Sequence, residues 1–95
     1  MMISNKRIAK GFGMVSSDII RNPDFSLQEK ALYAYLSSYA DGLTNEVFVS
    51  VNRMCAECNI TQSTVKRILS SLEKKGVILR ENRGSKVTRK TTLLK

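Results

Sequence analysis

The chain has 95 residues, of which 42% are hydrophobic and 25% charged, the composition of one small globular domain rather than of a disordered chain. No apolar run reaches the roughly 18 residues that a membrane-spanning helix needs. The basic start lacks the apolar stretch of a secretory signal, so we expect a cytoplasmic protein. Sixteen Lys and Arg residues against eight acidic ones give a net charge of +8, which favours an anionic partner. Most of this charge lies in residues 73–95, which carry eight basic and two acidic residues.

The N-terminal half predicts an arm and two helices. Residues 1–10 show no periodicity and are expected to form a flexible arm, followed by one domain over residues 11–95. A short helix capped by Ser16 or Ser17 should end before Pro23, because proline disfavours helical geometry in the residue that precedes it.

The second helix has the clearest start signal. Ser26-Leu27-Gln28-Glu29 is a capping box, and Leu27 begins a run of apolar residues at helical spacing that predicts an amphipathic helix over residues 27–40. Its tyrosines are expected mainly in the core.

The C-terminal half predicts a strand, two helices and a hairpin. Residues 46–49 are β-branched and aromatic enough for a short strand. Helices are predicted over residues 51–58 and 62–75, capped by Ser50 and Thr61. Asn59 tolerates the left-handed conformation of a tight turn, and Gly76 ends the last helix. Two β-prone runs around a Gly-containing turn then predict a β-hairpin.

The helices at residues 51–58 and 62–75, separated by three residues, have helix-turn-helix spacing. In the second helix Val65, Ile68, Leu69 and Leu72 recur at i, i+3, i+4 and i+7, which leaves a polar face without acidic residues. Arg and Lys donate to guanine and Gln pairs with adenine, so we predict that this face enters the major groove of double-stranded DNA. The predicted contacts are Gln62, Ser63, Thr64, Lys66, Arg67 and Ser70.

The hairpin carries a second set of cations, namely Arg80, Arg83, Lys86, Arg89 and Lys90. A basic hairpin beside the groove would add phosphate contacts, which give affinity and position but no sequence information. The predicted backbone contacts are Ser50, Asn52, Arg83, Ser85, Lys86 and Arg89. The alternative, in which residues 62–75 show an ordinary solvated face, is disfavoured by the short turn before this helix and the basic hairpin after it.

Residues 11–95 resemble the winged helix-turn-helix domains of plasmid and phage replication proteins and related mobile-element regulators. The resemblance is carried by residues 25–34, 50–65, 72–78 and 91–94. It implies a mainly helical fold of three to four helices with a small β-hairpin, and DNA binding through residues 62–67 and 83–86. Asn59 stands where Gly is common, and Cys58 where a larger apolar residue is usual.

Cys55 and Cys58 form a Cys-x-x-Cys pair, which can be half of a zinc site or a redox pair. The chain contains no histidine and no other cysteine, so a four-ligand zinc site would need another subunit. We interpret both as core residues of a protein in a reducing compartment. No cofactor, metal, small-molecule substrate or catalytic set is predicted, and we expect a non-enzyme.

Three functions are compatible with these predictions. The first is a sequence-specific transcriptional regulator of a mobile element, acting as a homodimer on a palindrome. The second is the origin-binding N-terminal domain of a plasmid or phage replication initiator. The third is a winged-helix protein–protein interaction module, which the basic face disfavours. No membrane partner is expected.

Overall fold

The computed structural model describes residues 16–81 and 89–94. These ranges form a winged helix-turn-helix, mainly helical, as the sequence predicts. The predicted arm, residues 11–15 and the hairpin tip lie outside the described residues. No helix in the described part is long and apolar enough to cross a bilayer. The elements are α1 (Ser17–Ile20), α2 (Leu27–Tyr39), β1 (Glu46–Val47), α3 (Val51–Cys58), α4 (Gln62–Lys74), β2 (Ile78–Glu81) and β3 (Lys90–Leu93).

The capping box at the start of α2 is confirmed. The Ser26 hydroxyl accepts the Glu29 backbone N–H at 3.2 Å, and the Ser26 N–H donates to Glu29 Oε1 at 2.6 Å. The helix ends one residue before the predicted boundary, because Ala40 is extended with ψ 139°. At α1, Ser16 occupies the cap position, but its side chain makes no capping hydrogen bond.

One expectation for the apolar face of α2 is wrong. Leu27 is 82% exposed, because the first helical residue after the cap points away from the core. Of the tyrosines, Tyr33 is buried and Tyr35 packs against the core, as expected, whereas Tyr39 is exposed. Tyr35 and Tyr39 also donate to the same Glu57 oxygen at 2.6 and 2.5 Å, and so tie α2 to α3.

The three strands form one antiparallel sheet in the order β1-β3-β2. The predicted hairpin is the pair β2–β3, in which Arg80 lies opposite Thr91. The first strand is two residues long instead of four, because the chain leaves the sheet after Val47 to reach the cap of α3 at Ser50. It pairs with β3 through Glu46 and Thr92, a pairing that the sequence alone did not predict.

The core fixes how α4 is rotated about its axis. All four residues of the predicted apolar stripe of α4 are buried, and they share one cluster with Leu36, Val47 and Met54. Burying such side chains contributes about 1.5–3 kcal/mol each. The rotation that keeps them buried therefore leaves the polar side of α4 facing outward.

Candidate nucleic-acid interface

The turn between α3 and α4 sets the angle at which α4 is presented. Asn59 has φ 58° and ψ 48°, the left-handed conformation that the sequence predicts. The Ile60 N–H then bonds to the Cys55 carbonyl at 3.2 Å. The Thr61 hydroxyl accepts the Thr64 N–H at 3.3 Å and caps α4, so the predicted caps of both helices are confirmed.

The far end of α4 is closed by a Schellman motif. The Gly76 N–H bonds to the Glu73 carbonyl and the Val77 N–H to the Leu72 carbonyl. Gly76 has φ 77°, which favours glycine. The helix ends at Lys74, one residue before the predicted boundary, because Lys75 is its C-cap.

The polar face of α4 holds most of the predicted groove contacts together. Five of the six are exposed, namely Gln62, Ser63, Lys66, Arg67 and Ser70. Thr64 is half-buried, and its hydroxyl lies 2.9 Å from the Thr61 hydroxyl. Within the described residues, neither Lys66 nor Arg67 forms a salt bridge. This face therefore presents two cations without a counter-charge.

Two of these side chains are oriented by residues outside α4. Gln62 Nε2 donates to Asn52 Oδ1 at 2.7 Å. Arg67 Nη2 donates to Gln28 Oε1 at 2.9 Å. Each side chain keeps further donors for a ligand, because an amide NH₂ has two hydrogens and a guanidinium five N–H groups. The start and the middle of the face are thus held by α3 and α2 respectively.

A cleft of about 540 Å³ opens between α4 and the β2–β3 pair. Its lining contains three cations, Lys66, Arg80 and Arg89, and one carboxylate, Glu73, together with Val51, Leu69 and Ser70. Arg80 is half-buried and donates from Nε to Thr91 Oγ1 at 3.1 Å. Burial and the positive charge of Arg89 lower the pKa of Arg80.

The sequence matches a known protein family, and the fold is similar to that of a solved structure. The family described as "Helix-turn-helix domain" matches residues 26–78, which is more than half of the chain. The chain belongs to this helix-turn-helix family. Comparison with curated protein sequences gives no match. A solved structure described as "Structure of Rep-DNA complex" is similar in fold, with a TM-score of 0.68 and 17% sequence identity. The match covers 100% of this chain and 83% of that one.

The remaining predicted contacts of the helix-turn-helix domain fall in three places. Ser50 and Asn52 are exposed at the start of α3, where the Ser50 hydroxyl accepts the Arg53 N–H at 3.1 Å. Arg89 is exposed at the start of β3 and lines the cleft. Arg83, Ser85 and Lys86 lie outside the described residues. The roles of all these residues remain predictions.

Lys90 does not belong with the other hairpin cations. Its ammonium lies 3.2 Å from Glu46 and 3.1 Å from Glu81, and these pairs raise the pKa of Lys90. Because successive strand residues point to opposite faces, Lys90 lies on the side of the sheet away from Thr91 and Arg80. Its charge is neutralised there.

The cysteines of α3 pack against the core and are partly buried. Burial raises the pKa of the Cys58 thiol, and the nearby Glu57 and Cys55 add to this effect, so the thiol is protonated near neutral pH. Within the described ranges no three metal-binding side chains come together.

Three residues of the interface were not among the predicted site residues. Gln28 meets Arg67 across 39 positions of the chain, a contact without any sequence signal. Arg80 and Glu73 become part of the interface only because β2 folds back beside α4. A signal for Arg80 was present, since it lies two residues after the buried Ile78. Both side chains therefore lie on the same face of the strand.

Proposed function

We propose that this helix-turn-helix domain binds double-stranded DNA by placing α4 in the major groove. The observation that supports this most is the exposed face of α4, where Lys66 and Arg67 have no carboxylate partner in the described residues. The opposite side of α4 is buried, so the face is presented on a rigid support. The similar fold of a protein described as part of a "Rep-DNA complex" also supports DNA as the partner.

Within this proposal the face reads sequence and the hairpin supplies affinity. Gln62 and Arg67 have the donors that match adenine and guanine edges. Lys66, Arg80 and Arg89 face the phosphates, whose contacts position the protein. The domain acts without catalytic chemistry or cofactor, and the two cysteines, which form no disulfide, suit the reducing cytoplasm.

We propose a regulator of a mobile element, bound as a homodimer to a palindrome, as the biological role. A replication initiator that recognises an origin is the second candidate, and the fold similarity to a Rep protein favours it. Bound sites within a promoter would support the regulator. Loss of plasmid or phage replication in a variant that folds but does not bind would support the initiator.

Fluorescence anisotropy with a labelled random duplex tests DNA binding directly. We expect binding at low salt, with log K falling linearly against log[salt] because phosphate contacts release counterions. The double variant Lys66→Gln/Arg67→Gln should lower both the affinity and the slope, whereas the control Lys30→Gln, which removes one charge from α2, should lower neither by as much. Absence of binding by the folded protein at high micromolar concentration and 50 mM salt would contradict the proposal.

Selection of bound sequences from a random duplex library then tests sequence specificity. A dimer on a palindrome predicts two inverted half-sites about 10 base pairs apart, or a multiple of one helical turn. Enrichment of a single unrepeated site would contradict the dimeric arrangement while leaving DNA binding intact.

A further inference from the structure

The cleft between α4 and the β2–β3 pair carries an excess of positive charge. Lys66, Arg80 and Arg89 line it, and none of them forms a salt bridge within the described residues. Glu73 lies in the same cleft, but its Oε2 accepts the backbone N–H of Arg80 at 3.4 Å. The net charge of the lining is therefore positive.

Arg80 is the best positioned of these cations. It lies opposite Thr91 in the strand pair, and the buried Thr91 hydroxyl accepts its Nε–H at 3.1 Å. This contact fixes the plane of the guanidinium. The Arg80 side chain lines the cleft, and no partner for its terminal nitrogens occurs in the described part of the chain. A planar fork of this kind matches two oxygens of a phosphate.

Other residues of the lining also favour an anion in the cleft. Val51, the first residue of α3, lines the cleft together with the buried Leu69. The N-terminal end of a helix carries a partial positive charge from its free N–H groups. Ser70 on α4 adds a hydroxyl that can donate to an anion.

We propose that this cleft binds a phosphodiester group of the DNA backbone and that Arg80 is the residue that holds it. This inference rests on the proposed function and adds the place at which one strand is gripped. Lys66 on α4 and Arg89, just before β3, approach the same phosphate from two sides. Burial and the charge of Arg89 lower the pKa of Arg80, and the nearby charge of Glu73 only partly offsets this.

The cleft also assigns a role to Glu73. Its carboxylate lines the same cleft and repels a phosphate there, so it weakens phosphate binding. We therefore expect opposite effects of two neutralising substitutions in one cleft, a loss of affinity at Arg80 and a gain at Glu73. A merely structural role for Arg80 would leave the salt slope of the folded Arg80 variant unchanged.

The salt dependence of duplex binding tests the inference. Arg80→Gln should lower the slope of log K against log[salt] by about 0.9, the value for one phosphate contact, and weaken binding roughly tenfold or more at 100 mM salt. Arg80→Lys should keep the slope but bind more weakly, because it keeps the charge and loses the fork. Glu73→Gln should tighten binding about two- to fivefold.

Lys90→Gln is the matched control, because Lys90 is next to Arg89 and Thr91 in sequence but lies on the other side of the sheet between two carboxylates. Its slope should equal that of the wild type. Circular dichroism melting of each variant separates folding from binding. If Arg80→Gln does not fold, Glu73→Gln still decides, and an unchanged affinity in that variant overturns the inference.

Further outcomes distinguish failure of the phosphate site from failure of DNA binding as a whole. A folded Arg80→Gln variant with the wild-type slope overturns the phosphate site and leaves DNA binding by α4 standing, whereas a wild type that binds no duplex refutes the proposed function itself. The Arg80 Nε–H resonance should shift with duplex DNA but not with 20 mM inorganic phosphate at equal ionic strength. An equal shift with inorganic phosphate that duplex DNA does not displace would assign the site to a free anion and overturn the inference.

Discussion

Gln62 at the start of α4 and Arg67 near its middle both lie on the exposed face, and each is held by a side chain from another helix. Asn52 on α3 accepts from Gln62, and Gln28 on α2 accepts from Arg67. Holding a long side chain in one conformation before binding removes part of the entropy that it would lose, typically about 0.5–1.5 kcal/mol for each side chain. We therefore propose Gln28 and Asn52 as positioning residues for sequence recognition.

Removing Arg67 should therefore differ from removing its support. Arg67→Ala should weaken binding to the preferred site by about 1–3 kcal/mol and relax the base preference at one position. Gln28→Ala should weaken binding by a smaller factor at the same position and leave the salt slope unchanged. Competition binding against site variants with single base changes measures both effects. A base preference of Arg67→Ala that matches the wild type, together with unchanged binding to the preferred site, would show that Arg67 makes no base contact.

Glu29 combines a capping role with a long-range contact. Its side chain is 7% exposed and lies 2.8 Å from the Lys75 ammonium, and the Ser71 hydroxyl donates to its other oxygen. Burial by itself raises the pKa of Glu29, but the hydrogen bonds from Lys75, Ser71 and the Ser26 N–H outweigh it and bring the pKa to about 2. The start of α2 is thereby fastened to the end of α4.

Because the pKa of Glu29 is lowered in the folded protein, the free energy of unfolding depends on pH. The pKa of this carboxylate is lower in the folded protein than in the unfolded chain. Its contribution to stability is therefore complete above the unfolded-state pKa and is lost as pH falls through the folded-state pKa. Between pH 4.5 and pH 2 the wild type should therefore lose about 2–3 kcal/mol of unfolding free energy through Glu29. The difference between wild type and Glu29→Gln in urea unfolding should be largest at pH 7 and shrink toward pH 2. A difference that stays constant with pH would contradict this.

At the scale of secondary-structure elements, the helix caps and the residues that end the helices were the most predictable features. Ser26, Ser50 and Thr61 each satisfy a helix N–H locally, within three residues of the cap. Asn59 and Gly76 take the left-handed conformation locally as well. Signals of this kind survive in the sequence because their physical cause lies within one turn of the chain.

Asn59 gives a direct test of the helix-turn-helix angle. Asn59→Gly should be nearly neutral, since glycine adopts φ 58° without steric cost, whereas Asn59→Ala should cost about 1–2 kcal/mol. For a domain of this size a change of 1 kcal/mol shifts the melting temperature by roughly 4–8 °C. Thermal unfolding of both variants measures the difference, and equal melting temperatures would show that the turn relaxes without penalty.

The features that sequence reasoning missed depend on contacts between distant segments. The pairing of β1 with β3 joins Glu46 to Thr92, and neither strand signals its partner. Lys90 and Arg89 look equivalent as hairpin cations in the sequence. Strand alternation, however, places Lys90 beside Glu46 and Glu81 and leaves Arg89 beside the cleft. Leu27 fits the helical period but is placed by the cap outside the core.

At the scale of the whole molecule, charge is separated between surfaces. The sequence places most of its +8 in the C-terminal third, and the fold brings the described strands of that third, β2 and β3, beside α4. Lys75 and Lys90 are used internally in salt bridges. Among the described cations outside these salt bridges, Lys66, Arg67, Arg80 and Arg89 come from α4, β2 and the position just before β3, and they make one surface suited to a polyanion.

That surface contains only groups whose charge is constant near neutral pH. The chain has no histidine, Lys and Arg titrate far above pH 7, and burial raises the pKa of Cys58. We therefore expect the dissociation constant for duplex DNA to change by less than about twofold between pH 5.5 and pH 7.0 at fixed ionic strength. Fluorescence anisotropy in buffers matched for salt measures this. A tenfold weakening as pH rises would mean that an interface carboxylate takes up a proton when DNA binds. Loss of that pH dependence in Glu73→Gln would assign the proton to the cleft.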